Sequence, residues 1–377
     1  MARIPAQNED EALPEADRLD AFPHPRETRT LVGHEVAERE LAEAFASQRM
    51  HHAWLFAGPE GIGKATLAYR LARYVLAGPG ERDASGRTLE SAADAASARR
   101  IRALSHPALL VVRRPYDVRS KRLSGSIPVD EVRRLKSFLG LTAAAGTWRV
   151  VIVDAADELN VNAANALLKS LGEPPTRALF LLVASEPSRL LPTVRSRCRR
   201  LSLAPLSGAP LRQAAAAALA QAEMDMPSAD HWPLLERLAE GSVRRALLLA
   251  GSGGLELYER IEAILAALPN VDWPAVHALA DQLSMPAHEQ RFEAFYNLLL
   301  DVIGRLVRAR AAGRTGPEPG LAGRLIPERL IPEARLPAWA ALWEDIGRER
   351  AERALLNLDK RAFLVGTFAK LASIARF

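Results

Sequence analysis

The sequence predicts an α/β fold with a parallel, doubly wound sheet, followed by segments that are entirely helical. Between about residues 29 and 203, short apolar runs of strand length alternate with stretches of helical period. A glycine-rich loop follows the first of these runs, and the strand-like runs end after Pro205. Alternating strands and helices are typical of parallel sheets whose strands are joined by helical crossovers.

The elements of this α/β region follow in chain order. Val36, Leu41, Ala44 and Phe45 fit the first helix, and residues 52–57 read as the first buried strand. Residues 78–100 are rich in Gly, Ala and Ser and predict a loose insertion. The remaining apolar runs predict strands at 109–112, 150–153 and 180–184, and the helical periods predict helices at 64–76, 129–139 and 161–171.

The two ends of the chain differ from this region. Residues 1–28 are rich in Glu, Asp, Pro and Ala without an apolar period, so we expect a disordered tail. Ala-rich helices fill 208–250, and a third helical segment follows a Gly-rich break at 251–254. Two helical faces are predicted in that segment, one from Phe292, Phe295, Leu299, Val302 and Leu306 and another from Leu355, Leu358, Ala362 and Val365. The predicted division is a tail (1–28), an α/β domain (29–203), a small helical domain (204–252) and an all-α domain (257–377).

Composition excludes several classes of protein. Of the 377 residues, 49% are hydrophobic and 25% are charged, which is ordinary for a globular protein. The single cysteine, Cys198, excludes an internal disulfide and a four-cysteine zinc site. No apolar run has transmembrane length, and the acidic N-terminal stretch is unlike a signal peptide. We therefore expect a cytoplasmic protein without a membrane partner, and the net charge of +5 is compatible with contact to nucleic acid.

A phosphate-binding loop is indicated by Gly58-Pro59-Glu60-Gly61-Ile62-Gly63-Lys64, which fits G-x-x-x-x-G-K between a strand and a helix. Gly58, Gly61 and Gly63 would let backbone N–H groups face phosphate oxygens, and Lys64 would reach the terminal phosphates.

The position after Lys64 should be a Ser or Thr that binds Mg²⁺, but it is Ala65. Thr66 follows, and a shift of one residue turns a helical side chain by about 100° away from that place. The residues indicate a P-loop and leave open whether ATP or ADP binds weakly or not at all.

The second acidic motif of a P-loop ATPase is also incomplete in this sequence. Asp154 ends an apolar strand in the manner of a Walker B aspartate, which helps to hold Mg²⁺. An active ATPase of this kind needs a carboxylate at the next position, where this chain has Ala155. Asp154 by itself would equally suit a residue that caps a loop. Losses at two chemically linked positions together argue against hydrolysis.

Taken together, the motifs resemble those of bacterial clamp-loader subunits of the AAA+ family, and among these the delta-prime type of DNA polymerase III. The resemblance rests on HHAWLFAGPEGIGK, VVIVDAADELNVNAANALLKSLGEPP, FLLVASEPSRLLPTVRSRC and GSVRRAL, which occur in this order. It covers residues 30–250 well and the C-terminal third only by its helical character.

The resemblance implies an AAA+ core, a small helical lid and a helical collar within a five-subunit ring. The implied partners are tau/gamma and delta subunits and, through the complex, the sliding clamp and primed DNA. Arg197 matches the SRC arginine that reaches a neighbouring subunit's ATP site, and Ser185 lies near the sensor-one position. Arg244 matches the sensor-two arginine, while Val32 and Gly33 match the stretch beside the adenine base.

Departures from the family pattern bear on function. Ala65 and Ala155 favour a delta-prime-type subunit over the tau/gamma motor, which is the alternative function. Gly172 replaces a glutamate that is usual before the double proline. Many relatives carry zinc-binding cysteines after the P-loop helix, and residues 78–100 contain none, so no zinc is expected. A nucleic-acid-binding adaptor with a relic P-loop is a further hypothesis, permitted by the positive charge but supported by no recognition motif.

Overall fold

The computed structural model forms two compact units. One comprises Met1–Asp225 with Ala239–Arg245, and the other comprises Met226–Leu238 with Ala246–Phe377. The predicted division into three domains stays a prediction. The structure describes all residues except 1–13, 20, 29, 84, 119–121, 141–146, 252, 286–287, 315, 317–324, 357 and 377.

A five-stranded parallel sheet organises the first unit, in the order β2-β5-β6-β1-β7. Its strands are β1 (Ala53–Ala57), β2 (Leu109–Val112), β5 (Arg149–Asp154), β6 (Ala178–Ala184) and β7 (Arg199–Ser202), with a separate antiparallel pair, β3 (Tyr116–Asp117) and β4 (Arg122–Leu123). The predicted parallel α/β fold is therefore confirmed. The short strand β7 was not predicted, because its sequence, RRLS, carries exposed arginines instead of an apolar run.

The helices of the first unit are α1 (Glu35–Ala46), α2 (Lys64–Leu76), α3 (Ala96–Arg102), α4 (Val129–Gly140), α5 (Val161–Gly172), α6 (Pro192–Arg195) and α7 (Ala209–Gln221). Helices α1 to α3 pack on one face of the sheet, and α4 to α6 pack on the other. Alternate strand residues enter two different cores: Trp54 and Phe56 pack with α2, whereas Leu55 packs with α5. Val36, which was fitted to the apolar period of the first helix, is 79% exposed, and Val161, at the start of the predicted helix 161–171, is 66% exposed. Both lie in the first turn of their helices, where the period alone does not decide burial.

The N-terminal segment, defined as residues 14–19 and 21–28, packs against the rest of the first unit. Phe22 and His24 are buried, and Asp17 Oδ1 lies 3.0 Å from Arg113 Nη1. The expectation of a disordered tail is wrong for these residues, and residues 1–13 lie outside the described part of the chain. The segment is fixed mainly by ion pairs. The sequence analysis did not detect its order, because that analysis relied on the period of apolar residues.

The insertion at 78–100 is also ordered where it is described. It forms a 3₁₀ turn at Pro79–Glu81 and leads into α3. Arg82 Nη2 donates to Val75 O at 2.8 Å, and the guanidinium lies 4.9 Å from the ring centre of Phe45. Glu38 accepts a hydrogen bond from the Leu89 backbone N–H at 2.9 Å. The prediction of a loose insertion is therefore wrong, because side-chain contacts to distant backbone groups hold it.

The C-terminal part of the chain is helical, as predicted. Its helices are α8 (Trp232–Ala239), α9 (Val243–Gly251), α10 (Gly254–Ala267), α11 (Trp273–Ser284), α12 (Glu289–Ala311), α13 (Pro327–Leu330), α14 (Leu336–Leu356) and α15 (Lys360–Ala375). The predicted face of α12 is confirmed, because Phe292, Phe295, Leu299, Val302 and Leu306 are all buried.

The second predicted face in this part is wrong. Leu358 is 52% exposed, Ala362 is exposed and Val365 is half-buried, while the side chain of Leu355 lies outside the described part. The helical period was drawn across a break, since α14 ends at Leu356 and Asp359 caps a new helix at Lys360. In α15 the buried residues include Leu364, Phe368 and Leu371.

Candidate nucleotide site and exposed arginine

The P-loop connects β1 to α2, as the motif predicts. Gly61 has a φ of 77° and Gly63, at the N-terminus of α2, has a φ of 106°, a region that favours glycine. A Cβ at Gly61 would lie 2.3 Å from Ser242 Oγ, and a Cβ at Gly58 would lie 2.5 Å from Leu203 O. The close approach of the Leu203 backbone to Gly58 and of the Ser242 side chain to Gly61 leaves no room for a Cβ at either position.

Lys64 is turned into the loop that precedes it. Its side chain is buried, and Nζ donates to Pro59 O at 2.5 Å and to Ser185 Oγ at 3.1 Å. Burial lowers the pKa of Lys64, although the nearby carboxylates of Asp154 and Asp157 act in the opposite direction. The lysine and the predicted sensor-one serine are thus brought together, and protein oxygens accept two of the three hydrogens that the lysine can donate.

Asp154 is buried at the end of β5. Its Oδ2 atom has no hydrogen-bond partner by geometry among the described residues. Burial, followed by the neighbouring carboxyl group of Asp17, raises the pKa of Asp154 well above its usual range. Asp17 comes from the N-terminal segment, and sequence reasoning missed it because that segment was expected to be disordered.

Ala65 and Ala155 stand where the hydroxyl and the second carboxylate were expected. Thr66, the residue after Ala65, makes no side-chain hydrogen bond within the described part of the chain. Asp157 does not replace the missing carboxylate, because its Oδ2 accepts from the backbone N–H groups of Ser185 at 3.0 Å and Glu186 at 2.7 Å. It orders the turn after β6, which nothing in the sequence indicated.

Two of the residues that the family pattern places around the nucleotide, Ser185 and Arg244, contact P-loop residues. The Arg244 backbone N–H donates to Gly61 O at 3.2 Å, and Arg244 Nε lies 3.3 Å from Glu60 Oε1. The stretch containing Val32 and Gly33 leads into His34, whose Nε2 lies 2.6 Å from Ile62 O. His34 is a P-loop contact that sequence reasoning missed.

This donor set does not fit a Mg²⁺–ATP site that hydrolyses. One carboxylate, Asp154, remains for a metal, and it is buried beside another carboxyl group. The hydroxyl and the water-orienting carboxylate are replaced by Ala65 and Ala155. Among the described residues, no three or more His, Cys, Asp or Glu side chains are grouped so that they could hold a metal ion.

Arg197 makes no polar contact with the described residues around the P-loop. It follows α6, its side chain is exposed, and Nη1 donates to Thr193 O at 2.9 Å. Among the described residues, no hydrogen bond or ion pair joins it to the P-loop. Its neighbour Arg199 is different, because its guanidinium lies 4.7 Å from the ring centre of Trp54 and 2.7 Å from Glu40 Oε1. Arg197 is therefore open to another molecule, whereas Arg199 is held by its own chain.

Cys198, between these arginines, is half-buried and packs against the core on the α5 face of the sheet. Burial raises the pKa of the Cys198 thiol to about 12. In this environment the thiol packs as a small apolar side chain. Among the described residues, no helix is both long and apolar enough to span a membrane.

The known proteins to which this chain is similar in sequence include subunits of DNA polymerase III. A family model described as "DNA polymerase III, delta subunit" matches residues 33–207. The DNA polymerase III subunit delta' of Escherichia coli is 33% identical over 297 residues, covering 77% of this chain and 82% of that protein. The delta' subunit of Pseudomonas aeruginosa is 38% identical over 202 residues, so the chain spans 56% of that relative's length. The tau subunit of Escherichia coli is 28% identical over 305 residues, which is 75% of this chain and 44% of that protein.

The sheet order, the P-loop after β1 and the aspartate at the end of β5 define an AAA+ protein of the P-loop class. Together with the matches to delta' subunits, these features identify the family within that class. The chain belongs to the delta-prime family of DNA polymerase III clamp-loader subunits.

Proposed function

We propose that this chain is a non-hydrolysing subunit of a bacterial clamp loader, the complex that uses ATP to load the sliding clamp onto primed DNA. The observation that carries the proposal is the pair of alanines, Ala65 and Ala155, in an otherwise preserved P-loop unit. The engagement of Lys64 with Pro59 and Ser185 supports it. ATP or ADP accordingly binds weakly or not at all.

The catalytic contribution of this subunit is made to a neighbour's site through Arg197. A guanidinium that reaches a transferring phosphoryl group neutralises the charge that develops there. The exposed position of Arg197, with a single bond to a carbonyl of its own helix, supports this role. The planar fork of donors suits phosphate oxygens better than an ammonium does.

The partners of the proposed subunit are tau/gamma and delta subunits in a five-subunit ring, located in the cytoplasm. Contact with the sliding clamp and primed DNA is made through the complex. In this proposal residues 29–203 are the AAA+ core, 204–252 the lid and 257–377 the collar that joins the ring. The buried aromatic core of α12 and α15 gives the proposed collar a stable framework.

A steady-state ATPase assay on the pure full-length chain tests the absence of hydrolysis. We expect no turnover above background with Mg²⁺, while a tau/gamma subunit assayed in parallel hydrolyses ATP. Mg²⁺-dependent turnover by the pure chain that disappears in Lys64→Ala would instead identify an ATP-hydrolysing motor of the tau/gamma type. The same chain added to tau/gamma and delta subunits should enter their complex on size-exclusion chromatography.

A further inference from the structure

A small cavity in the first unit has an unusual charge balance. It has a volume of about 170 Å³ and lies where the N-terminal segment, the middle and end of α2, the insertion and the end of α3 meet. Its lining includes the basic residues Arg26, Arg70, Arg73 and Arg102 and the acidic residues Glu27 and Glu90. We call this cavity the arginine pocket.

Two of the four arginines are compensated by carboxylates of the same chain. Arg26 Nη1 lies 2.8 Å from Glu15 Oε2, and Arg70 Nε lies 2.7 Å from Glu38 Oε1. Glu90 is 3.8 Å from Arg70 and largely exposed, so it adds little to that pair.

The other two arginines, Arg73 and Arg102, have no carboxylate within ion-pair distance among the described residues. Arg73 donates to two carbonyl oxygens, Arg26 O at 3.0 Å and Thr28 O at 3.2 Å, and the Arg102 side chain makes no hydrogen bond there. Burial, together with the like charges of Arg70 and Arg102, lowers the pKa of Arg73 to about 10. Two uncompensated guanidinium groups therefore face one cavity, an arrangement that a bound anion would relieve.

We propose that the arginine pocket binds a small phosphate-type oxyanion. A phosphate group carries about 1.5 to 2 negative charges near neutral pH, which matches two guanidinium groups that lack a carboxylate partner, whereas a carboxylate carries one charge. Guanidinium forks bind phosphate oxygens in a bidentate manner. The volume of about 170 Å³ is well below the roughly 300–1,000 Å³ of sites for larger organic ligands, so the phosphate enters alone or as the end of a larger molecule.

The arginine pocket is distinct from the P-loop. Lys64 begins α2 and Arg73 lies in its last turn, so about 13 Å of helix separates the two positions. The proposal goes beyond the clamp-loader function and does not depend on ATP hydrolysis. Inorganic phosphate and the 5′-terminal phosphate of a nucleic acid strand share the required chemistry, and the experiment separates them.

Isothermal titration calorimetry of the full chain with inorganic phosphate, at fixed ionic strength in chloride, tests the proposal. We expect saturable binding that weakens by about 10-fold or more in Arg102→Ala, the size expected for losing a charged hydrogen bond. Arg102→Ala should remain folded, because its side chain has no partner to lose. Arg73→Lys, which keeps the charge and removes the fork, should also weaken binding. Arg195→Ala, an exposed arginine of the same unit, is the matched control and should bind normally.

Three outcomes would overturn the proposal: no saturable binding to the wild-type chain, equal binding by Arg102→Ala, or loss of binding in Lys64→Ala with Arg102→Ala unaffected. The last outcome would place the anion at the P-loop. A second titration compares a 5′-phosphorylated oligonucleotide with its dephosphorylated form. Discrimination that disappears in Arg102→Ala identifies a strand end as the source, and equal weak binding of both, with phosphate binding retained, identifies the free anion. Because ATPase turnover of the reconstituted complex is measured separately, this proposal and the proposed function can fail independently.

Discussion

His24 Nε2 lies 2.8 Å from Asp17 Oδ2, and the His24 ring is completely buried. Its Nδ1 accepts a hydrogen bond from the Arg26 backbone N–H at 3.0 Å, so the hydrogen of a neutral ring lies on Nε2, the nitrogen next to the Asp17 carboxylate. Arg113 Nη1 contacts the other Asp17 oxygen at 3.0 Å. This pair fixes the N-terminal segment to the P-loop unit and brings Asp17 next to Asp154.

We predict that His24→Ala destabilises the protein by about 2–4 kcal/mol, because a buried charged hydrogen bond and a packed ring are lost together. The measurement is the urea midpoint followed by circular dichroism. Asp94→Asn, at an exposed carboxylate, is the control and should change stability by less than about 0.5 kcal/mol. A wild-type midpoint for His24→Ala would mean that the segment contributes nothing to the fold.

The stabilising effect of Asp17 should depend on pH. Burial by itself would raise the pKa of Asp17, but the hydrogen bond and charge of His24, with Arg113, outweigh it and lower the pKa from 3.8 to about 2. A carboxylate with a depressed pKa stabilises the folded state above its unfolded pKa, and that contribution is lost as pH falls from about 4 towards 2. The stability difference between wild type and Asp17→Asn should therefore shrink between pH 5 and pH 2. A difference that stays constant over this range would contradict the prediction.

Removal of the Glu38 carboxylate should open the insertion. Glu38 Oε1 accepts from both Arg70 Nε at 2.7 Å and the Leu89 backbone N–H at 2.9 Å, so Glu38→Ala leaves two donors without their acceptor. We expect faster tryptic cleavage after Arg87, an exposed arginine in the insertion, than in the wild-type chain. Glu43→Ala, an alanine replacement on the same helix, is the control, and equal cleavage rates in all three proteins would show that Glu38 does not hold the insertion.

Arg197→Ala should leave the chain folded and assembled, since only one exposed hydrogen bond is lost. The reconstituted complex should hydrolyse ATP more slowly and load clamps poorly. A single arginine finger is worth roughly 10³–10⁵ in rate at its own site, and the total falls by less because the complex has several sites. Arg197→Lys should not restore full activity, because an ammonium lacks the planar fork.

The control for this experiment should be Arg195→Ala. Arg195 is exposed at the end of α6 without a side-chain partner among the described residues. Arg199, the obvious choice from sequence, is unsuitable because it stacks on Trp54 and pairs with Glu40. Equal turnover losses from Arg195→Ala and Arg197→Ala, or normal turnover with Arg197→Ala, would show that Arg197 has no specific role in trans.

Cys198 should react slowly with thiol reagents while the protein is folded. Because burial raises the thiol pKa to about 12, little thiolate exists at pH 8, and alkylation by iodoacetamide should be about 100-fold or more slower than that of free cysteine. The rate should approach the free value in urea, where the burial is lost. Rapid labelling of the folded chain would show that the thiol is accessible.

The sequence by itself determined the α/β region, the P-loop and the losses at Ala65 and Ala155. These features are local: apolar runs, helical periods and glycine spacing each depend on residues that are close in the chain. These local patterns did not place Ser185 and Arg244 near the nucleotide. Only the resemblance to the clamp-loader family predicted that position for them. The structure brings both into contact with P-loop residues, through Lys64 and Gly61 respectively.

Only the tertiary structure decided which charged residues become parts of the fold. Glu15, Asp17 and His24 lie in a stretch whose composition suggests disorder, yet their partners include Arg113, which is 89 to 98 positions away. The same holds for Glu38 and Leu89, and for the face of α15, where a break at Asp359 resets the helical period. Ion pairs and side-chain-to-backbone hydrogen bonds between distant residues produce no periodic pattern in a sequence. Their contribution to stability can therefore be recognised only in the folded structure.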